Sequence, residues 1–93
     1  MADFFHQKRV WITGASSGIG EALAYAFAER GAQLILSARN EAELHRVAAE
    51  AVQHGSKNPL VQPLDLFQHA TIPGMVDMVL KQVGKVDILI NCG

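Results

Sequence analysis

Apolar positions along this chain follow two alternating rhythms. Four short runs are apolar almost throughout: Arg9–Thr13, Gln33–Ser37, 60–64 and 86–90. Such runs, each followed by a turn or a helical stretch, predict strands buried on both faces. Between them the apolar residues recur at helical spacing. Residues 21–30 place Leu23, Ala26, Phe27 and Arg30 on one face and stop at Gly31, a helix C-terminus signal. Asn40 with Glu43 three residues on resembles a capping box. The helix it opens runs to about His54–Gly55, with Leu44, Val47, Ala48 and Ala51 on one face, until Asn58-Pro59 breaks it. A third helix is predicted over 71–83, with Pro73 in its first turn, Gly84 after its end and Gly74 weakening it locally.

The resulting order is β-α-β-α-β-α-β. Strands separated by helices predict an α/β fold in three layers, with a parallel sheet between helices. Right-handed crossovers then give the strand order 3-2-1-4, with the switch point between strands one and four. Pro63 places strand three at an edge or at a strand end, because proline donates nothing to a ladder. Strand four would leave its outer edge unpaired, and doubly wound sheets continue on that side. Residues 1–93 are therefore expected to be the N-terminal part of a single domain. The competing reading is a naturally short product.

Composition narrows the classes. Ninety-three residues bound one small domain, and 49% hydrophobic with 18% charged residues make it globular. A net charge of -1, with Lys8-Arg9 as a short basic pair, argues against nucleic acid as a partner. No apolar run approaches the roughly 18 residues needed to span a bilayer, and the N-terminus lacks the basic-then-apolar order of a secretion signal. A lone Cys92 allows no internal disulfide, which fits a reducing compartment and a cytosolic protein. With no basic neighbour in sequence, Cys92 is expected to be a small buried apolar residue. His6, His45, His54 and His69 have no metal-ligand spacing, so no metal site is expected, and no Ser-His-Asp set is evident.

The chemistry concentrates in Thr13-Gly14-Ala15-Ser16-Ser17-Gly18-Ile19-Gly20, between the first strand and the first helix. Gly14 permits a tight turn, Gly18 lets backbone approach a phosphate, and Gly20 lets the helix pack close. A helix opening there points its first N–H groups and its positive end at an anion. The run is thus a pyrophosphate cradle. It is not a Walker loop, which needs Gly-Lys-Ser/Thr where this chain has Gly20-Glu21. At the tip of strand two, Ser37-Ala38-Arg39-Asn40 offers no carboxylate for a ribose 2′-hydroxyl. Arg39 instead matches a 2′-phosphate, with Ser37 as a possible hydroxyl donor; otherwise Arg39 is solvated or pairs with Glu43. Asp65, after strand three, either accepts from an adenine amino group or caps a turn. Asn91, ending strand four, can bridge backbone groups of neighbouring strands.

Together these motifs resemble the short-chain dehydrogenase/reductase family, from Arg9 onward. The family's Thr-Gly-x-x-x-Gly-x-Gly is met in full by residues 13–20, and its Asp after strand three by Asp65. Its Asn-Asn-Ala-Gly motif is met in part: Asn91 matches, Cys92 replaces the second Asn, and Gly93 stands at the Ala position. The resemblance implies a Rossmann-type domain binding NADP in preference to NAD. It implies cofactor contacts from Gly14, Ser16, Ser17, Gly18, Ile19 and Gly20 in the cradle, and from Ser37, Arg39 and Asn40 at the tip of strand two. Further contacts come from Asp65 and Leu66 after strand three, and from Asn91 and Gly93 at the end of strand four. It also implies a small carbonyl or alcohol substrate, by analogy with relatives acting on steroids or retinoids, and a homo-oligomer in the complete protein. The family's catalytic Tyr-x-x-x-Lys is absent: Tyr25 is the only tyrosine and is followed four residues later by Glu29. The chain is therefore read as the cofactor-binding part of an oxidoreductase, the alternative being a nucleotide-binding regulatory module without catalysis.

Overall fold

In the computed structural model, which describes residues 4–65 and 68–92, eight elements follow one another. They are β1 (Arg9–Thr13), α1 (Gly18–Glu29), β2 (Gln33–Ser37), α2 (Glu41–Gln53), β3 (Leu60–Val61), a 3-10 turn at His69–Thr71, α3 (Ile72–Val83) and β4 (Ile88–Asn91). The strands form one parallel sheet in the order β3-β2-β1-β4, as the alternation of elements predicts.

The continuous apolar runs are explained by the layers. Successive side chains of a strand point to opposite faces. On one face Val10, Ile12, Leu34 and Leu36 pack with Ala24 and Ala28 of α1 and with Leu44, Val47, Ala48 and Ala51 of α2. On the other, Trp11 and Ile35 pack with Met75 and Val79 of α3. Cover is incomplete over β4, where Leu89 stays 64% exposed.

Several boundaries differ from the sequence reading. Helix α1 begins at Gly18 rather than at residue 21, and its buried residues are Gly20, Ala24 and Ala28. Leu23 and Phe27 flank that stripe half-buried, while Ala26 and Arg30 are exposed. The small residues face inward because they let the helix axis approach the sheet closely. Strand β3 is shorter than 60–64, although the chain stays aligned with β2 beyond Val61. The Gln62 N–H donates to the Leu36 carbonyl at 2.9 Å, and that of Leu64 to Ala38 at 3.0 Å. Pro63 falls between these donors, where its missing N–H faces away from β2. Strand β4 starts at Ile88, two residues later than expected. Just before it, the Asp87 N–H donates to the Arg9 carbonyl at 2.9 Å, and the Asp87 carboxylate accepts from the Arg9 N–H at 2.8 Å. That reciprocal pair pins the register of β4 on β1, and the Arg9 bond holds the Asp87 carboxyl below the usual carboxylate range. Cys92 is half-buried against the α1–α2 core rather than fully buried. Among the described residues, no helix is long and apolar enough to cross a membrane.

Candidate functional site

Because the strands are parallel, their C-terminal ends share one edge of the sheet. Thr13 stands opposite both Ser37 and Asn91 in the ladder, so the ends of β1, β2 and β4 form one row. This is the edge where doubly wound sheets bind ligands, and β1 lies at the switch point.

The glycine-rich turn rises from the middle of that row. It is anchored by the Ala15 N–H, which donates to the Ser37 carbonyl at 3.0 Å, with Ala15 itself fully buried. Gly18 has φ +57°, a conformation that L side chains rarely adopt, and nothing lies within 4 Å of where its Cβ would be. Gly20 is the opposite case. A Cβ there would lie 2.1 Å from the Gly14 carbonyl oxygen and 2.8 Å from its carbon. One glycine thus keeps space open above the turn, and the other brings helix and turn into contact. The Ser17 side chain makes no capping bond to α1, which leaves the first-turn N–H groups for an anion. Ile19 beside them is 74% exposed.

The other expected residues are placed as follows. Ser37 is fully buried, and its Oγ accepts from the Trp11 indole N–H at 2.8 Å. That corrects the expectation of a hydroxyl offered to a 2′-phosphate: Ser37 lies in the α3 layer, facing Trp11. Ser37→Ala would leave the indole N–H buried and unpartnered, at a cost of about 1–3 kcal/mol. The expected result is a lower urea midpoint for the variant, with its preference between dinucleotides unchanged.

Arg39 is exposed, and among the described residues it makes no hydrogen bond or ion pair. The suggested partner Glu43 is engaged by Arg46 instead. Asn40 is the N-cap of α2, its Oδ1 accepting from the Glu43 N–H at 3.1 Å. Arg39 and Asp65 line one cavity of about 670 Å³, with Gln62 and Met75 among its other walls. The structure therefore brings the tip of β2 and the end of the β3 segment together. Asn91 links strands through side chains, its Oδ1 accepting from the Thr13 hydroxyl at 2.8 Å. Leu66 and Gly93 lie outside the described residues.

One arrangement was missed from sequence. The Arg46 guanidinium, reaching from α2, forms a two-pronged pair with Glu21, Nη1 to Oε2 and Nη2 to Oε1, both at 3.1 Å. Its Nε donates to Glu43 at 3.1 Å and its Nη2 to the Ser16 carbonyl at 3.3 Å. The Tyr25 hydroxyl donates to Glu21 at 2.7 Å. Bonds from Arg46 and then Tyr25 hold the Glu21 carboxyl below its usual range. Burial and the Glu21 carboxylate push the Tyr25 phenol up to about 12, and the two glutamates raise Arg46 above its ordinary value. The spacings Glu21–Tyr25 and Glu43–Arg46 were visible as one-turn pairs. The bond between helices was not.

Comparison with known proteins follows the same lines. The family model for short chain dehydrogenases matches residues 8–93. The mouse protein "Dehydrogenase/reductase SDR family member 7" is 46% identical over 87 residues, covering 90% of this chain and 26% of that protein. A short-chain type dehydrogenase/reductase from Mycobacterium marinum superposes with a TM-score of 0.85 at 39% identity, over 95% of this chain and 35% of that one. The 3-ketoacyl-(acyl-carrier-protein) reductase from Brucella melitensis, complexed with NADH, gives 0.79 at 36% identity over 91% of this chain and 33% of that one. The chain thus spans about a quarter of the length of the curated relative it matches.

Proposed function

The chain belongs to the short-chain dehydrogenase family, a family that binds nicotinamide cofactors, and on that premise we propose that it holds NADP(H) for an oxidoreductase interconverting small carbonyls and alcohols. The observation that carries this reading is spatial. A glycine-rich turn with an open Gly18, an arginine at the tip of β2 that is unpaired among the described residues, and Asp65 all stand at the C-terminal edge of the sheet. That sequence of contacts suits a pyrophosphate, a phosphorylated ribose and an adenine in turn.

Residues 14–20 would hold the pyrophosphate through backbone N–H groups and the N-terminus of α1. Arg39 would bind the 2′-phosphate through its guanidinium fork. Asp65 would accept from the adenine amino group. Asn91 and Thr13 would fix the end of β4 beside β1, and exposed Ile19 offers the nicotinamide end an apolar surface. Bound there, the dinucleotide supplies the hydride donor or acceptor. The family's Tyr-x-x-x-Lys pair has no counterpart among these 93 residues. In this reading the chain contributes cofactor binding, and the groups that move the substrate's proton lie elsewhere in the protein. A regulatory nucleotide-binding module would keep the binding and lose the turnover.

The test is calorimetric titration of the intact protein with NADPH and with NADH, followed by carbonyl-dependent NADPH oxidation. Binding of NADPH with turnover is expected. Binding of neither dinucleotide overturns the proposal, and binding without turnover on a carbonyl panel favours the regulatory module.

A further inference from the structure

Resting on the dinucleotide reading above, we propose that Arg46 is a positioning residue for the phosphate cradle, holding the Ser16 carbonyl and the first turn of α1 in place without itself touching the ligand. Three observations carry this. Arg46 belongs to α2, yet its guanidinium spans to the start of α1 and to the cradle, contacting Glu21 with two prongs and the Ser16 carbonyl with a third. Its Nε donates to Glu43, so each of its three nitrogens has a partner and the plane of the fork is set. Glu21 is in turn held from beneath by the Tyr25 hydroxyl at 2.7 Å.

The geometry matters because the bond from Ala15 to Ser37 anchors only the start of the turn, before Ser16. Its backbone passes through Gly14 at φ 69° and Gly18 at φ 57°, with no cap from Ser17. A flexible turn must lose that freedom on binding, and a turn already fixed does not. Helix α2 carries its own N-cap at Asn40 and buries Leu44, Val47, Ala48 and Ala51, so Arg46 projects from a firm base. Arg46 thus ties the position of the cradle to α2, the helix that begins directly after Arg39 and Asn40.

An alternative role would be plain attraction, the arginine acting as a positive charge near an anion. Two substitutions separate the roles, because they change local charge in opposite directions. Arg46→Ala removes a positive charge, and Glu21→Gln removes a negative one while keeping the guanidinium. Positioning requires both to weaken binding; attraction alone requires Glu21→Gln to strengthen it. The experiment is NADPH titration of the intact protein and these variants, followed by fluorescence of the bound nucleotide, with melting temperature measured beside it. A rise in Kd of roughly tenfold is expected for both, the scale of one charge-assisted hydrogen bond. The double variant should be little worse than either single one, since both break one clamp. Arg46→Lys should rescue only in part, because an ammonium cannot reproduce the fork. Tighter binding by Glu21→Gln, or an unchanged Kd in both single variants, overturns the positioning role. So does a lower melting temperature with unchanged Kd, which marks a purely structural pair. A wild-type protein that binds no nicotinamide dinucleotide overturns the functional reading itself.

Discussion

Gly20→Ala is expected to cost the fold about 3 kcal/mol or more, the upper end of overpacking penalties, and to abolish dinucleotide binding. Intrinsic propensity points the other way, since alanine is favoured over glycine inside a helix by about 1 kcal/mol. Packing wins because of what the new methyl meets: the Gly14 carbonyl oxygen at 2.1 Å, its carbon at 2.8 Å and the Ala15 Cα at 3.1 Å. All three are backbone atoms, so no flexible side chain can yield. Either α1 moves off the sheet or the turn moves out of its seat on Ser37, and either change dismantles the cradle. Gly74→Ala supplies the contrast. That glycine is helical, a Cβ there meets nothing within 4 Å, and the same substitution should stabilise by roughly 0.5–1 kcal/mol. Urea unfolding of both variants at constant m, with NADPH titration alongside, checks the pair. A Gly20→Ala protein as stable as wild type would show that the close approach is not there.

Arg39→Asp is expected to reverse or erase a preference for NADPH over NADH. The wild-type arginine is exposed, it has no ion-pair partner among the described residues, and Glu43 is occupied by Arg46. Its charge is therefore free to be spent on a phosphate. Losing that contact should weaken NADPH binding by roughly 10- to 150-fold, corresponding to about 1.5–3 kcal/mol for a hydrogen bond to a charged group. The introduced carboxylate repels a 2′-phosphate and can accept from a 2′-hydroxyl, so NADH affinity should hold or improve. Calorimetric Kd values for both dinucleotides, at fixed ionic strength because exposed charges are screened, are the measurement. Equal affinities in the wild-type protein would sink the claim.

Much of this arrangement was legible in the amino-acid order. Continuous apolar runs identify strands buried on both faces, and helices between them fix a parallel sheet in the order seen. Asn40 announces the cap that it makes, and Leu44, Val47, Ala48 and Ala51 are the buried face of α2. The start of α1 was misplaced because two glycines with poor helix propensity are its first and third residues, retained for contact and space rather than for helicity. Its inward stripe was misassigned because size argues for burying Leu23 and Phe27, whereas the close approach selects Gly20, Ala24 and Ala28. Ser37 shows the limit of motif reasoning. Its position at a strand tip suggests a ligand contact, and only the packed fold shows the side chain fully buried with its Oγ accepting from the Trp11 indole N–H. The Arg46–Glu21 clamp joins residues 25 apart on different helices, and spacing along one helix does not reveal it.

Among these four strands β1 leads in chain order, yet it sits in the interior of the sheet, between β2 and β4. Its partner for one whole edge is β4, the most distant of the four along the chain, and Arg9 and Asp87, which lock that edge, are 78 residues apart. At roughly 5–20 residues per second of translation, the ribosome needs on the order of 4–16 s to deliver that partner. Over this interval the nascent chain can close β1 against β2 and α1, burying Val10 and Ile12, while the other edge of β1 keeps open backbone donors and acceptors. A helical bundle, with its local contacts, has no such wait. The same nesting that places the glycine-rich turn over a central strand makes the newborn chain dependent on pairing the second edge of β1 before another open strand finds it.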